Sequence, residues 1–320
     1  MKIAFFMDPL HTIHPAKDST LAMIESAKKL GWFCAYFTPN DLFCRDGQSY
    51  ATMSSITNLD VSKNEWVTTT PLGEQPLTAF DIILVRKDPP FNMAYIVATY
   101  ALELAEQQGV LIVNKPQTLR DANEKFFTLH FPQCCPSTLV SQNINHLRAF
   151  WQEQGDVIFK PLHAMGGEGV FHVDKAGRNL SVILETLTQH QSIQIMAQRY
   201  IPEISAGGDK RILMINGEPV SYGLARIPAK GELRGNLAAG AKGRVLPLTE
   251  REHWICSQLT KTFLDKGLYF VGIDVIGDYL TEINVTSPTC IREIAAETGL
   301  DIAGDFLRGL AVRRVKHELT

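Results

Sequence analysis

The sequence predicts an α/β protein in which an N-terminal α/β domain with a parallel sheet, residues 1–120, precedes an α+β domain with antiparallel sheets, residues 121–320. Two observations predict this division. Short apolar strands alternate with helical segments through the first third of the chain, an order typical of parallel sheets with crossover helices. After about residue 116 the strands come in pairs joined by short turns, which is typical of antiparallel hairpins.

In the first part, apolar strands are predicted over residues 2–7, 32–37, 82–85 and 110–113. A helix is predicted from the capping pair Asp18 and Ser19 to residue 30, where Gly31 stops it, and a second helix over residues 93–108 ends before Gly109. Parallel sheets bind ligands at the carboxyl ends of their strands. Three segments follow strand ends and are therefore expected to border a ligand, namely residues 7–9, 86–90 and 114–116.

In the second part, Asn216-Gly217 separates strands predicted over residues 211–215 and 219–223. This dipeptide is the strongest short-range indication of a β-hairpin. Two further strands meet at a Gly277-Asp278 turn. Strand side chains alternate between the two faces of a sheet, so Glu282 and Asn284 are expected to share one face.

The composition is that of an ordinary globular protein, with 45% hydrophobic and 20% charged residues among 320. A net charge of -3 gives no support for nucleic acid or an anionic membrane surface as a partner. Neither a signal peptide nor an apolar run of about 18 residues is found, so we expect a cytoplasmic protein without a membrane partner. The six cysteines are scattered without zinc-site spacing and are expected to be reduced, buried thiols.

Asp274, Glu282 and Asn284 are oxygen-bearing side chains on strands built otherwise from aliphatic residues. Acids are costly to bury without a partner, and Mg²⁺ accepts carboxylate and amide oxygens while it keeps positions open for phosphate. Two interpretations are open from these residues alone: a divalent-metal site, or a solvent-facing row on an antiparallel sheet. The register matters for Asp274: a three-residue loop at 277–279 places it opposite Glu282, whereas a two-residue loop pairs it with Thr281 on the other face.

Lys160 ends a predicted strand, and a glycine loop that contains Gly166 and Gly167 leads from it to a second strand at residues 170–173. The backbone N–H groups of such a loop can cradle phosphate oxygens. The loop joins two strands and lacks the Walker and dinucleotide motifs, so a plain hairpin turn is the alternative. Lys125 supplies a second lysine near the start of a predicted helix, where a solvated surface position is the ordinary expectation.

Cationic side chains gather in two later regions. Asp209, Lys210 and Arg211 open one strand, and Arg226 closes another. Residues 227–244 then carry four glycines, four cationic side chains and no aromatic residue. Loops this long inside a compact domain are usually lids or disordered, so we expect a cationic lid over an anionic substrate, with a flexible insertion as the alternative.

Ser287-Pro288 is predicted to begin a helix, with Ser287 as the cap and Pro288 at the first helical position. Arg292 then lies in the second turn of this helix. Its guanidinium pairs either with a substrate carboxylate in bidentate geometry or with an internal acid. The sequence leaves both partners open.

The order of these features is more informative than any one of them: a lysine, a lysine with a glycine loop, an apolar hinge at residues 193–202, Asp-Lys-Arg, a cationic lid and Asp…Glu-x-Asn. In this order the sequence resembles the ATP-grasp superfamily of carboxylate–amine ligases. More narrowly, it resembles the bacterial glutathione synthetases over essentially its whole length. The segments that carry this resemblance include Arg86-Lys-Asp-Pro-Pro-Phe91, Asn123-Glu-Lys125, Arg234-Gly-Asn-Leu-Ala-Ala-Gly240 and Thr281-Glu-Ile-Asn-Val-Thr-Ser-Pro-Thr-Cys-Ile-Arg-Glu293.

The resemblance implies a reaction in which ATP phosphorylates the cysteinyl carboxylate of γ-glutamylcysteine, and the amine of glycine then displaces the phosphate to form glutathione. ATP is thus the implied co-substrate, and two Mg²⁺ ions are the implied metal cofactors, with Mn²⁺ as an alternative ion. A homotetramer is also implied. The residues implied to bind ATP are Lys125, Lys160, Gly166, Gly167, Gln198, Tyr200, Ile201 and Asp209.

The resemblance assigns the remaining site residues to three further roles. Arg211 and Arg226 would face the transferring phosphoryl group and the acyl-phosphate oxygens, and Arg234, within the 227–244 lid, would be a third catalytic residue. The residues implied to bind the peptide substrate are Arg86, Asn284 and Arg292. The residues implied to bind metal are Asp274, Glu282 and Asn284.

Three competing interpretations of the whole chain are open. A purely structural α/β scaffold would leave the segment Arg234-Gly-Asn-Leu-Ala-Ala-Gly240 unexplained. The other two concern nucleotide-binding proteins. The first is another ATP-grasp ligase, one that joins amino acids to a peptide or a protein tail. The second, from a different class, is a nucleotide-binding regulatory protein that has lost its chemistry. The complete metal-ligand set and both lysines argue against the second, because a degenerate copy has no physical need for so much buried charge.

Overall fold

The computed structural model describes residues 1–229 and 242–318. The strands in these ranges are β1 (Lys2–Phe6), β2 (Phe33–Phe37), β3 (Leu42–Arg45), β4 (Gln48–Leu59), β5 (Val67–Pro76), β6 (Ile82–Val85), β7 (Leu111–Val113), β8 (Thr138–Ser141), β9 (Val157–Pro161), β10 (Phe171–Val173), β11 (Ile195–Arg199), β12 (Asp209–Ile215), β13 (Glu218–Ile227), β14 (Lys242–Pro247), β15 (Phe270–Ile276) and β16 (Tyr279–Asn284). The α-helices are α1 (Ser19–Lys29), α2 (Met93–Gln107), α3 (Pro116–Asp121), α4 (Ile144–Gln154), α5 (Leu180–Leu187), α6 (Ile204–Gly207), α7 (Glu250–Asp265), α8 (Ile291–Thr298) and α9 (Ile302–Glu318).

The N-terminal region contains the parallel sheet that the sequence predicts. Strands β2, β1, β6 and β7 lie side by side in this order and run parallel. Helix α1 connects β1 to β2 and helix α2 connects β6 to β7. The carboxylate of Asp18 accepts a hydrogen bond from the N–H of Leu21 at 2.7 Å, which confirms the predicted cap of α1. The predicted bounds of these elements are confirmed to within one residue.

Antiparallel strands at one edge of this sheet are missing from the sequence prediction. Strand β4 pairs with β2, and β3 and β5 both pair with β4. Buried and exposed residues alternate along part of β4, but serine and threonine occupy many of its positions. The hydrophobic period that identifies a strand is therefore weak here. The N-terminal sheet is consequently mixed rather than purely parallel.

The remaining described strands form two antiparallel sheets, as predicted. One has the order β10-β9-β11-β8, and the other has the order β14-β13-β12-β15-β16. Between β12 and β13, Asn216 and Gly217 have φ values of 54° and 91°. A type I′ turn requires positive φ at both central residues, so the predicted hairpin is confirmed.

The predicted register of Asp274 is confirmed, but its predicted cause is wrong. Asp274 lies opposite Glu282. The turn between β15 and β16 nevertheless has two residues, because Ile276 pairs directly with Tyr279. A bulge between Leu280 and Glu282 adds one residue to β16 and shifts the register. The bulge, rather than a three-residue loop, therefore places Asp274 opposite Glu282.

The helix start predicted at Ser287 and Pro288 is wrong. Helix α8 begins at Ile291, so Arg292 lies in its first turn rather than its second. The hydroxyl of Ser287 donates to the carbonyl of Arg86 at 3.3 Å, and the carbonyl of Pro288 accepts from Nη2 of Arg86 at 2.9 Å. Because these bonds tie the loop to the end of β6, Ser287 is not available as a helix cap.

Asn114, which follows β7, joins the N-terminal sheet to the last antiparallel sheet. Its Nδ2 donates to the carbonyls of Phe270 and Val285, both at 2.7 Å. Its Oδ1 accepts from the N–H groups of Tyr269 and Phe270 at 2.8 and 3.0 Å. The buried amide thus uses both donors and both acceptor positions. It fixes the end of a parallel strand against the two strands that carry the acidic residues.

The apolar core is continuous across the predicted boundary near residue 120. One buried cluster includes Val113 and Phe270, from the two sides of that boundary. Residues of β9, β11 and α5 form a separate cluster around Phe159 and Leu184. The division at residue 120 stays a prediction. Within the described ranges, no helix combines the length and the apolar character that crossing a membrane requires.

The cysteines only partly follow the expectation of buried thiols. All six are free, and Cys34, Cys134, Cys256 and Cys290 are buried. Cys44 is exposed and Cys135 is half-buried, so the expectation is wrong for these two.

Candidate active site

A cavity of about 770 Å³ lies between the two antiparallel sheets. Small-molecule sites commonly have volumes of about 300–1,000 Å³. The predicted site residues that line it are Lys125, Lys160, Gly166, Gly167, Gln198, Tyr200, Ile201, Asp209, Arg211, Arg226, Asp274, Glu282 and Asn284. The fold therefore brings most of the predicted residues to one place, although they are spread over 160 positions of the sequence.

Arg86 and Arg292 are predicted site residues that do not line this cavity. Arg86 is 5% exposed, and its Nε donates to the hydroxyl of Thr20 at 3.1 Å while Nη2 is bonded to Pro288. The guanidinium of Arg292 lies 3.1 Å from the carboxylate of Glu25. The sequence leaves a substrate carboxylate and an internal acid open as partners of Arg292, and in the structure Arg292 pairs with the internal acid Glu25.

The predicted lid over residues 227–244 is too long at both ends. Ile227 belongs to β13 and pairs with Lys242 of β14, so both ends of the segment are strand. Arg234 and the rest of residues 230–241 lie outside the described residues. The lid and the role of Arg234 stay predictions.

Two arginines and one aspartate form the centre of the cavity. Arg211 of β12 and Asp274 of β15 are cross-strand partners, with Nε 2.5 Å from Oδ1 and Nη2 2.8 Å from Oδ2. Nη2 of Arg226 lies 3.0 Å from Oδ2 of the same carboxylate. Burial raises the pKa of Asp274, but the two guanidinium groups more than offset this and hold the pKa well below its usual range. Asp274 is therefore ionised, as a metal ligand must be.

Asp209 lies beside this cluster with an incomplete set of partners. Its Oδ2 accepts from Nη2 of Arg226 at 2.5 Å. Its Oδ1 is buried without a hydrogen-bond partner among the described residues. Burial raises the pKa of the Asp209 carboxyl against the attraction of Arg226, and the negative charge of Asp274 raises it further. A hydrogen-bond donor on a ligand is the kind of group that this oxygen lacks.

Gly272 provides the space that Arg211 occupies. A Cβ atom at this position of β15 would lie 2.9 Å from Cδ of Arg211 and 2.8 Å from Cβ of Pro288. Both distances are shorter than packed side chains allow. A glycine inside a strand commonly marks such a close approach.

Both predicted lysines are buried, and the surface position expected for Lys125 in isolation is wrong. Lys125 is 3% exposed and Lys160 is 6% exposed. Nζ of Lys125 donates to the carbonyl of Ala164 at 2.7 Å. Nζ of Lys160 has long contacts, 3.3 Å to Oε1 of Gln198 and 3.4 Å to the carbonyl of Thr281. Burial lowers the pKa of Lys160, against the attraction of nearby Glu282. An anionic ligand would stabilise this buried ammonium group.

The glycine loop and the hinge form two further walls of the cavity. Gly166 and Gly167 have φ values of 66° and 80°, a region that favours glycine. In the hinge, the ring of Tyr200 stacks on the ring of His172, with centroids 4.2 Å apart and planes 26° apart. The N–H of Tyr200 already donates to the carbonyl of Asp156 at 3.0 Å, so this group is not available to a bound base.

The three predicted metal ligands lie together on β15 and β16. Glu282 faces Asp274 across the two strands, and Nδ2 of Asn284 lies 3.3 Å from Oδ2 of Asp274. Carboxylate and amide oxygens fit a hard divalent cation. Among the described residues, no three His, Cys, Asp or Glu side chains are grouped closely enough to hold a metal. A cation here therefore needs the amide oxygen of Asn284 and oxygen atoms of a bound phosphate as well.

Two family models match most of the chain. The N-terminal domain of prokaryotic glutathione synthetase matches residues 1–120, and the ATP-grasp domain of prokaryotic glutathione synthetase matches residues 124–299. The chain belongs to the prokaryotic glutathione synthetases. Relatives agree: the glutathione synthetase of Pseudomonas putida is 52% identical over 307 residues, which cover 96% of each chain. That of Coxiella burnetii is 48% identical over 313 residues, which cover 98% of this chain and 97% of the relative.

Solved structures are similar to this chain at the level of the fold. The D-cycloserine synthetase DcsG has a TM-score of 0.69 at 13% identity, and the match covers 98% of this chain and 100% of that chain. The D-alanyl-alanine synthetase A of Vibrio cholerae has a TM-score of 0.59 at 12% identity, with 98% of each chain covered. The predicted ATP-grasp fold is confirmed. As a member of its family the protein is an ATP-dependent ligase, and the family uses ATP with a divalent metal ion.

Glu124 and His172 are titratable residues of the cavity lining that the predicted site does not include. Glu124 forms an ion pair with Lys125, and its pKa is raised by burial and then by the charge of Glu282. His172 lines the cavity opposite the hinge and lies 3.2 Å from a carboxylate oxygen of Asp156. Glu124 lies inside the segment Asn123-Glu-Lys125, so its position beside a predicted lysine was an available signal. For His172 the sequence carries no comparable signal.

Proposed function

We propose that this protein joins γ-glutamylcysteine and glycine to form glutathione, with ATP converted to ADP and phosphate. The observation that carries the proposal is the convergence of Arg211 and Arg226 on Asp274, with Glu282 paired to Asp274 on the next strand and two buried lysines in the same cavity lining. Phosphoryl transfer depends mainly on positioning and on cancellation of charge, so a site with many cations and no activated nucleophile suits it.

The proposed reaction has two steps. In the first, a cysteinyl carboxylate oxygen forms a bond to the γ-phosphorus of ATP, and the bond from that phosphorus to the ADP oxygen breaks. In the second, the nitrogen of glycine attacks the acyl carbon, the bond from that carbon to the phosphate oxygen breaks, and the ammonium nitrogen gives up its protons to solvent or base. Arg211 and Arg226 stabilise the negative charge on the phosphoryl and acyl-phosphate oxygens in both steps.

The residues that we propose to bind ATP are Lys125, Lys160, Gly166, Gly167, Gln198, Tyr200, Ile201 and Asp209. Their common position in the cavity lining supports this assignment. Both lysines are buried cations in the cavity lining, and Lys160 has only long contacts of 3.3 and 3.4 Å, so they suit the phosphate groups. The apolar wall that Ile158, Val170 and Ile276 form suits the base.

We propose that Asp274, Glu282 and Asn284 hold two Mg²⁺ ions, which Mn²⁺ can replace. The ions supply charge neutralisation for the phosphate oxygens. The oxygen donors of these residues support the assignment, and Asn284 also borders the end of the cavity that receives the peptide substrate. The contribution of the chain itself is orientation, because Arg211 and Arg226 hold the Asp274 carboxylate in a fixed position.

The remaining assignments concern the substrate end and the assembly. We propose that Arg86 and Arg292 act on the peptide substrate indirectly, since Arg86 supports the loop after β16 and Arg292 pairs with α1 through Glu25. Arg234 and the lid are proposed to close over the acyl phosphate, which water would otherwise hydrolyse. A cytoplasmic homotetramer is proposed from family membership alone.

The test is the release of ADP by the purified protein with ATP and Mg²⁺, with γ-glutamylcysteine and glycine added singly and together. Release that needs both substrates, with one glutathione formed per ADP, supports the proposal. Release with other amino acid pairs but not with these two keeps the ATP-grasp chemistry and overturns the substrate. ATP binding without release for any pair favours the regulatory protein instead.

A matched pair of variants links the activity to the proposed centre. Arg211→Met removes a buried guanidinium that contacts Asp274. Arg178→Met removes an exposed guanidinium far from it in the sequence, and serves as the control. We expect a loss of at least about 10²-fold in kcat for the first, which is the cost of one transition-state electrostatic contact, and an unchanged kcat for the second.

A further inference from the structure

The cavity extends beyond its arginine centre to a second end that the assignments above leave without a ligand group. At this end it is lined by His14, Asp88 and Pro89 of the N-terminal region and by Ser287 and Thr289 of the loop after β16. The same cavity is continuous from this end to Arg211 and Arg226. A substrate that reaches both ends must therefore carry polar groups at two separate positions.

Asp88 lines this end, and its carboxylate forms no ion pair within 4.0 Å among residues 1–229 and 242–318. The neighbouring cation, Lys87, is turned away: its Nζ forms an ion pair with Asp8 at 2.9 Å and donates to the carbonyl of Asp88 rather than to its carboxylate. The guanidinium of Arg86 bonds Thr20 through Nε and Pro288 through Nη2, while its Nη1 has no hydrogen-bond partner among the described residues. The N–H of Asp88 donates to Oδ2 of Asp8 at 2.8 Å, which fixes its backbone.

The surroundings of Asp88 favour the arrival of a positive charge. Asp88 is exposed as a residue, but desolvation still raises the pKa of its carboxyl. The charges of Arg86 and Lys87 oppose this shift, and repulsion from Asp8 and Asp18 adds to it. A cation bound at the carboxylate would stabilise its charged form against desolvation and against the repulsion from neighbouring acids. The described residues offer no group of three His, Cys, Asp or Glu side chains that could hold a metal. An organic ammonium group needs only one carboxylate and suits the site better.

We propose that Asp88 binds the α-ammonium group of the γ-glutamyl end of the peptide substrate. This inference rests on the proposed function, because it takes γ-glutamylcysteine as the substrate whose cysteinyl carboxylate lies at Arg211 and Arg226. The γ-linkage leaves the α-amino group of the glutamyl residue free and far from the reacting carboxylate. The substrate thus carries its one cationic group at the end of the cavity where the protein has an unpaired carboxylate. Asp88 is a specificity-determining residue in this arrangement.

The experiment compares two substrates in two proteins. Glutaryl-cysteine is γ-glutamylcysteine without the α-amino group, and Asp88→Asn replaces the carboxylate by an amide of the same shape. In the wild type, kcat/KM is expected to be about 10- to 100-fold lower for glutaryl-cysteine, the usual effect of losing a charge-assisted hydrogen bond. In Asp88→Asn, kcat/KM for γ-glutamylcysteine falls by a similar factor, whereas kcat/KM for glutaryl-cysteine stays within about 3-fold of its wild-type value, within the usual context dependence of such contacts. The KM values for ATP and glycine are unchanged.

Two further variants guard against a change in folding. Asp88→Glu keeps the charge and should keep the preference for γ-glutamylcysteine. Asp46→Asn removes an exposed carboxylate from the turn between β3 and β4 and should change neither substrate. An equal loss on both substrates in Asp88→Asn, no loss on either, or a loss confined to the KM for glycine would each overturn the inference. Failure of the wild type to form glutathione would overturn the proposed function itself. This outcome is therefore distinct from a failure of the Asp88 inference alone.

Discussion

Nε of Arg211 lies 2.5 Å from Oδ1 of Asp274, and the two residues face each other directly on neighbouring strands. The second bond of this pair, from Nη2 to Oδ2, is 2.8 Å long. The carboxylate that is proposed to bind metal is therefore also the anion that holds a proposed catalytic arginine in place. A change at Asp274 should affect both the stability of the protein and the geometry of its centre.

Asp274→Asn should lower the free energy of unfolding by about 3–5 kcal/mol at neutral pH, because removing one partner leaves buried charge uncompensated. Arg211 would lose its ion pair, and Arg226 would keep only Asp209. Urea unfolding at constant temperature measures the difference. Asp278→Asn in the exposed turn between β15 and β16 is the control and should change the free energy of unfolding by less than about 0.5 kcal/mol.

The same pair predicts how stability depends on pH. The pKa of Asp274 is lower in the folded protein than its unfolded value of about 3.9. The stabilisation that Asp274 contributes is therefore fully present above about pH 4 and is lost as the pH falls below this value. For one proton, the free energy of unfolding can fall by at most about 1.4 kcal/mol per pH unit. Urea midpoints measured between about pH 5 and pH 3 should fall less steeply for Asp274→Asn than for the wild type. Urea midpoints that fall equally steeply with pH in the wild type and in Asp274→Asn would contradict the lowered pKa of Asp274.

The location of this pair could be predicted only in part from the sequence. Alternation along the strands places Glu282 and Asn284 on one face, and the structure confirms it. The position of Asp274 depends on a bulge after Leu280, and the residue added there, Thr281, is an ordinary strand residue that gives no local signal of a bulge. The predicted pairing of Asp274 with Glu282 is correct, but the three-residue loop that was expected to cause it is not present.

The errors elsewhere share a physical cause, which is tertiary bonding that local sequence does not contain. Ser287 and Pro288 form a good local helix start, but their polar groups bond to Arg86, 201 and 202 residues away in sequence. The family resemblance implies a substrate role for Arg86 and Arg292. Each has internal partners from distant segments, and the substrate role stays a prediction. Family resemblance located the cavity residues well because it carries long-range information that propensities lack.

Gly272→Ala should lower kcat without abolishing folding. The added methyl group would meet Cδ of Arg211 at 2.9 Å and Cβ of Pro288 at 2.8 Å, so the arginine must move away from its position beside Asp274. Overpacking of this kind costs about 1–3 kcal/mol in stability, and a displaced oxyanion-stabilising group costs about 10²-fold in rate. Steady-state assays give kcat, and far-UV circular dichroism verifies the fold. In Gly207→Ala the new methyl group has no atom within 4 Å, so wild-type kcat is expected.

Asn114→Ala should destabilise the protein by more than a typical polar substitution. Four hydrogen bonds of the buried side chain disappear together, and they involve the backbone of Tyr269, Phe270 and Val285. Each buried backbone group left without a partner costs about 1–3 kcal/mol, and partial rehydration reduces the sum. We expect a loss of at least about 3 kcal/mol in urea unfolding. Asn145→Ala near the start of α4 is the control, since Asn145 is exposed; a loss equal to the control would show that Asn114 does not join the sheets.

Lys210 and Glu252 form a buried ion pair behind the strand that carries Arg211. Nζ of Lys210 lies 2.7 Å from Oε1 of Glu252, whose Oε2 accepts from the N–H of Thr249 at 2.7 Å. Lys210→Met should cost about 3–5 kcal/mol because Glu252 stays buried and charged. The double variant Lys210→Met with Glu252→Gln should recover a large part of this loss, since glutamine keeps the capping bond without the charge. Additive losses in urea unfolding would contradict this coupling.

Glu282→Gln should separate the proposed metal role of this residue from its contact with Lys125. The carboxylate oxygen lies 3.7 Å from Nζ of Lys125, a distance too long for a strong hydrogen bond, so the structural loss should be small. Loss of one metal-binding charge should lower kcat by at least about 10²-fold and raise the Mg²⁺ concentration needed for half-maximal activity. Glu218→Gln, at the exposed start of β13, is the matched control and should leave both quantities unchanged. If Glu282→Gln turns over at nearly the wild-type rate in saturating Mg²⁺, Glu282 is not a metal ligand. If the free energy of unfolding falls by several kcal/mol, the role of Glu282 is structural, through its contact with Lys125.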